Sequence, residues 1–254
     1  MPDFINEFEM FAEAYAADGG NPLDLKNDRH LLMAVRARHL LAKNEIHGLL
    51  KENRPLLDGI KTNITVTKNS KIKNPVHFCF DVRPSKGTQR VQLDFLIKDN
   101  VEAVFWAHCT FPNAVKVRHI MEGFAKVSGG SRMENSKTLF HDDAGGVDVS
   151  AKMKIEIEKG GQYISTFRSV KGSAGKEELD YEASLTDEAA TELCAKIYGR
   201  SHDEIRVKES VYLEANESRG LVKSRIILAE EARAEVLGGK RSAKEFIPAD
   251  ISTA

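Results

Sequence analysis

Val66-Thr67-Lys68-Asn69-Ser70, Ile97-Lys98-Asp99-Asn100-Val101, Val127-Ser128-Gly129-Gly130-Ser131, Ile157-Glu158-Lys159-Gly160-Gly161, Leu185-Thr186-Asp187-Glu188-Ala189 and Leu213-Glu214-Ala215-Asn216-Glu217 share one form. An apolar residue closes a strand, three mostly polar or small residues make a turn, and a small or β-branched residue opens the next strand in most copies. Read from Val66 to Leu213, successive copies recur at a nearly constant interval of roughly thirty residues. A further copy, Leu228-Ala229-Glu230-Glu231-Ala232, arrives early and reads as a last, shortened coil. Each unit carries two or three short strands and too little apolar surface to form a core alone. Stacking the units in parallel lets every strand pair with its counterpart one coil away and builds one continuous interior. The alternative is an antiparallel sandwich, whose turns also recur but without a reason to hold this period six times.

Around the repeat the apolar pattern has a period of two, the mark of strands. It runs Ile60, Ile64, Val66; then Val76, Phe78, Phe80, Val82; then Val91, Leu93, Phe95, Ile97. The expected fold is mainly β, a right-handed parallel β-helix occupying residues 59–254. Residues 1–58 read differently, as a small helical region. Phe4, Ile5, Phe8, Phe11, Ala12 and Tyr15 have helical spacing, stopped by Gly19-Gly20-Asn21-Pro22. A second helix is expected from the Asn27/Asp28 cap, with Leu31, Leu32, Val35, His39 and Ala42 on one side, and a short third over residues 45–51.

Composition narrows the function classes. Lys and Arg number 37 against 38 Asp and Glu, a balance unlike the basic surface of a general nucleic-acid binder. No apolar run is as long as the roughly 18 residues that a membrane span needs, so none is expected. The opening Met1-Pro2-Asp3 lacks the basic-then-apolar order of a signal peptide, and three scattered cysteines make no disulfide framework. A cytoplasmic protein is the expectation.

Several ordered segments carry a family resemblance. Pro75-Val76-His77-Phe78-Cys79-Phe80, His108-Cys109-Thr110-Phe111-Pro112-Asn113-Ala114, Ser169-Val170-Lys171-Gly172 with Gly175-Lys176 and Asp180-Tyr181-Glu182, and Gly220-Leu221-Val222-Lys223-Ser224-Arg225-Ile226 resemble the SufB/SufD family, above all its short archaeal-type members. The closing coil from Ala229 to Gly238 is similar too, so the resemblance spans roughly residues 60–240. It implies a right-handed parallel β-helix core, a role in iron–sulfur cluster assembly, an ABC-type ATPase partner named SufC, and pairing through the β-helix as a homodimer or a SufB/SufD-type heterodimer. Family members usually continue past the last coil into a Gly-His-x-Asp-Cys segment, a His-Glu-Ala motif and ATPase-docking helices. Here Gly239 to Ala254 match none of these, a departure that puts direct cluster building by this chain and the usual docking mode in doubt.

Iron–sulfur clusters take thiolate ligands, with His sometimes completing the set. Cys79 and Cys109 each lie beside a histidine, His77 and His108. Counted from the coil starts at Val66 and Ile97, the two histidines hold the same place, so they are expected to stack, while the cysteines miss each other by one place. Cys79, Cys109, His77 and His108 are therefore the candidate metal ligands for a transiently bound cluster. Against that stands their position in a solenoid wall, where a cysteine commonly serves as a small packed hydrophobe. Cys194, between Leu193 and Ala195, reads as core filling, and His141-Asp142-Asp143 as a solvated loop. No Cys-x-x-Cys pair, phosphate-binding loop or Gly-x-Ser-x-Gly elbow is present.

The expectation is thus a non-enzymatic subunit of an iron–sulfur assembly complex, with ATP hydrolysis on a separate SufC-like subunit. The alternatives are a structural oligomerisation module without cluster chemistry, or a β-helix enzyme acting on polysaccharide. One Trp and five Tyr leave little for the aromatic-lined cleft of the last.

Overall fold

The computed structural model describes residues 16, 31–36, 39–43, 46–72, 74–82, 85–111, 114–141, 145–242, 246–248 and 250–253. Within these, two nine-stranded sheets alternate along the chain. The first holds β1 (Leu31–Arg36), β2 (His39–Lys43), β5 (Val76–Asp81), β7 (Glu102–Phe111), β9 (Arg132–His141), β11 (Gln162–Lys171), β13 (Ala190–Gly199), β15 (Arg219–Leu228) and β18 (Asp250–Thr253). The second holds β3 (Leu49–Pro55), β4 (Gly59–Val66), β6 (Lys86–Ile97), β8 (Lys116–Val127), β10 (Val147–Ile157), β12 (Gly175–Leu185), β14 (Glu204–Leu213), β16 (Arg233–Ser242) and β17 (Phe246–Pro248). From β4 to β16 neighbours within each sheet run parallel, and the chain crosses from one sheet to the other at every turn, giving a β-solenoid of about six turns.

The repeat read from the sequence is the strand register itself. Val66 pairs with Ile97, Ile97 with Val127, Val127 with Ile157, Ile157 with Leu185 and Leu185 with Leu213. The early copy at Leu228 is a correction: Leu228 closes β15 in the opposite sheet, where it pairs with Gly199. Its turn stacks on the one before β14, with the Glu231 amide donating to the Ser201 carbonyl.

Alternate residues point inward and make one core fed by both sheets. Phe78 and Phe105 stack 6.1 Å apart in one sheet, and Phe95 of the other meets Phe105 at 4.9 Å. At the recurrent corner one residue per coil takes positive φ: Asn69, Asn100, Gly130, Gly160, Glu188 and Glu217. Asn and Gly accept that left-handed conformation readily, which explains their place in the early copies. The corners are tied into a column, each of these amides from Asn69 to Glu188 donating to a carbonyl of the next coil.

The N-terminal expectation changes. Residues 31–36 and 39–43 are strands, not the predicted second helix, and β1 adds to the parallel sheet beside β5. Residues 49–51 begin β3, antiparallel to β4, where a third helix was expected. A short isolated helix is marginal in water, whereas these segments gain a full ladder of hydrogen bonds from the solenoid edge. The helix expected over residues 4–17 lies outside the described residues apart from Ala16. No helix among the described residues is long and apolar enough to cross a membrane.

Candidate functional site

The four predicted ligands sit on two neighbouring strands, His77 and Cys79 on β5, His108 and Cys109 on β7. In the register of these strands His77 pairs with Trp106, Cys79 with His108, and Phe80 with Cys109. The histidines are therefore diagonal neighbours, yet their rings still stack, 6.0 Å apart and 18° from parallel, while Trp106 meets His77 edge-on at 5.2 Å. Cys109 shares the inward parity of Phe80 and belongs to the core; Cys79 and the two histidines occupy the opposite face of the sheet. All four are buried.

Burial also sets the state of the thiols. It pushes the Cys79 thiol far up, with Cys109 adding to the effect. Cys109 is pushed up to about 12 by burial, against which Lys137 acts. Both are protonated thiols at neutral pH, while a cluster ligand is a thiolate. Among the described residues no three His, Cys, Asp or Glu side chains converge closely enough to hold a metal ion. The sheet divides the predicted ligands into an inward thiol and an outward His–Cys–His group. Cys194 likewise departs from expectation: it points outward from β13, half buried, and donates to Glu192 Oε1 at 3.2 Å. His141, expected in a solvated loop, instead closes β9 and is buried, while Asp142 and Asp143 lie outside the described residues.

The inward face beyond Cys109 is polar where an apolar core is the norm. Lys137, on β9, is buried and donates through Nζ to the Tyr181 hydroxyl at 2.8 Å. Desolvation lowers its ammonium to about 8, with the neighbouring Cys109 opposing. Tyr181 pairs in register with Glu209 on β14. Glu209 is buried, accepts from the Ser224 hydroxyl at 2.8 Å, and is pushed up to about 7 by desolvation. Beside this run, the Asn135 amide donates to the Tyr163 hydroxyl at 3.3 Å. A thiol, an amine, two phenols and a carboxyl thus share the interior of the solenoid from β7 to β14. Two of them, Lys137 and Glu209, exchange protons near neutral pH.

No protein-family model matches the chain. A search of curated proteins finds an iron–sulfur cluster assembly SufBD family protein of Methanocaldococcus jannaschii, 25% identical over 219 residues, which are 86% of this chain and 69% of that relative. Another protein so described, from Pyrococcus horikoshii, is 28% identical over 236 residues, 92% of this chain and 71% of the relative. Both likenesses support a SufB/SufD-type protein. The solenoid carries the likeness, since the matched lengths exceed any terminal segment. Reasoning from the sequence settles on the cysteines and misses Lys137 and Glu209. Their signal is present: Lys137 has the parity of Met133 and Leu139, and Glu209 lies between Val207 and Val211. A charge at an inward position of a strand is the mark of a residue kept for more than packing.

Proposed function

We propose that this chain is a non-catalytic solenoid subunit of a cytoplasmic iron–sulfur cluster assembly complex. The observation that carries the reading is the likeness to two SufBD family proteins named for cluster assembly, which runs through nearly the whole solenoid. In this reading a SufC-like ABC-type ATPase binds and hydrolyses ATP on its own subunit, and this chain supplies the rigid body that its motion works against. Pairing runs through the solenoid, with a second copy or a SufB/SufD-type partner. The exposed apolar side chains of Leu221 and Ile227 on β15, and Leu237 on β16, support a contact near that end. The cluster is cargo, held transiently. Cys79, flanked by His77 and His108, is the ligand candidate on the outer face, and Cys109 the candidate in the interior.

Two experiments test the two halves. Co-expression with an ABC-type ATPase of this class is expected to give a complex that survives size-exclusion chromatography; no complex under any nucleotide condition refutes the partnership. Anaerobic reconstitution with iron and sulfide is expected to give less bound iron and sulfide in Cys79→Ala or Cys109→Ala than in the parent. Unchanged loading of both variants refutes the cargo role. A second reading, an oligomerisation module without cluster chemistry, is favoured by the division of the two protonated thiols between opposite faces of the sheet.

A further inference from the structure

One corner of the solenoid interior gathers polar side chains that belong neither to the cysteine pair nor to the Lys137 run. Gln89 on β6 pairs with His119 on β8, His119 with Val149 on β10, and Val149 with Glu177 on β12, so three polar groups share one inward column. The opposite sheet contributes Phe111 and its register partner His141. The Phe111 ring lies parallel to His141 at 5.0 Å and edge-on to His119 at 5.0 Å. Ser169 donates to Glu177 Oε1, and His141 Nε2 stands 3.3 Å from the same oxygen without hydrogen-bond alignment. Exposures are 0% for His119, 3% for Gln89 and Glu177, and 6% for His141.

These groups are short of partners. Both amide atoms of Gln89, both ring nitrogens of His119 and of His141, and Oε2 of Glu177 are buried with no hydrogen bond. Buried polar atoms are nearly always satisfied, because leaving one bare forfeits its solvation with no return. So many at one corner call for a guest that both donates and accepts. A neutral imidazole offers one donor and one acceptor, the Gln89 amide offers both kinds, and Glu177 Oε2 only accepts. The guest must also be small, since all of these atoms are buried. A metal ion is a poor match, as among the described residues no three ligating side chains converge here. An anion would face the Glu177 carboxylate.

We propose that this corner is a hydration site: ordered water molecules bridge Gln89, His119, His141 and Glu177 inside the solenoid. Each water makes two to four hydrogen bonds, as buried waters ordinarily do. The site begins at Phe111, one inward position beyond Cys109 on β7. Its existence does not depend on any role of the chain in cluster assembly.

The test combines a direct view with a sign. A crystal structure of the full chain at a resolution that shows ordered water is expected to place water within hydrogen-bond distance of His119 and Gln89. Urea unfolding at about pH 7.5 then compares His119→Leu with His119→Gln. If water bridges the imidazole, His119→Leu strips a partner from it and lowers the folding equilibrium constant about tenfold or more. His119→Gln keeps a donor and an acceptor and falls less. A dry corner, or a metal ion in the density, overturns the proposal. So does a leucine variant as stable as the parent or more so, the outcome expected when an unsatisfied polar group is replaced by an apolar one.

Discussion

Replacing Lys137 by Met is expected to stabilise the protein at neutral pH, although it deletes a hydrogen bond. Lys137 is only 7% exposed, and its ammonium is lowered from an ordinary 10.5 to about 8 by desolvation. That difference is a cost of about 3 kcal/mol when the group is charged in both states. The sign follows from proton counting. Between about pH 8 and 10.5 the unfolded chain holds the proton that the folded chain has lost, so stability rises with pH through that window. Below it the penalty is complete. Methionine keeps the length of the side chain and adds no charge, but leaves the Tyr181 hydroxyl without its 2.8 Å donor, a loss of about 1 kcal/mol. The balance is a gain of about 2 kcal/mol at pH 7, shrinking nearly to zero by about pH 9.5. Urea unfolding of both proteins at the two pH values measures it. A variant less stable at pH 7, or a difference that does not change with pH, would show that the folded interior compensates the ammonium and would falsify the desolvation argument.

Acid should act through His119, whose imidazole is lowered to about 3 by burial, with His141 adding to the effect. The folded chain holds it neutral while the unfolded chain protonates it below about pH 6.5, so stability is lost as pH falls, by about 2 kcal/mol at pH 5. A His119→Leu variant should show a flatter pH profile in this range, and an equal slope would exclude His119 as the cause. Gly59→Ala should cost about 3 kcal/mol or unfold the first coil, because an added Cβ would lie 1.7 Å from the Arg90 carbonyl oxygen; thermal unfolding indistinguishable from the parent would contradict that contact. In the native protein Cys194, half exposed, should react with a thiol reagent before Cys79 and Cys109, which should react only on unfolding. Peptide mass mapping after a short exposure reads the order, and early labelling of Cys109 would refute its burial.

The solenoid is legible because its period is imposed by covalent spacing. A strand that must meet its counterpart one coil away fixes the distance from Val66 to Ile97 and onward to Leu213, and the corner needs Asn or Gly often enough to mark it. The N-terminal strands are not legible. Leu31, Leu32 and Val35 suit a helical stripe as well as a strand, and the parallel ladder with β5 that decides between them lies far along the chain, at Val76 to Asp81. In the candidate site, the coil count sets Cys79 one place beyond Cys109, opposite Thr110, whereas the register sets it one place before, opposite His108. The partner of His77 is displaced in the same way. Counting from Val66 and Ile97 aligns it with His108, but the turn after β4 is longer than the turn after β6, so the pairing falls on Trp106 instead. Gln89, His119 and Glu177 escape notice because each is unremarkable alone, and only the register places them in one column.

The uniform distance between paired strands has a kinetic consequence. From β4 to β16 every rung finds its parallel partners only in the coils directly before and after it. Assembly is then one-dimensional growth, in which a new coil needs a finished neighbour on one side only. The antiparallel pairs β1–β2 and β3–β4 stand at the start of that row and offer the first such neighbour. A chain emerging from the ribosome can lay down its rungs in the order in which they are made.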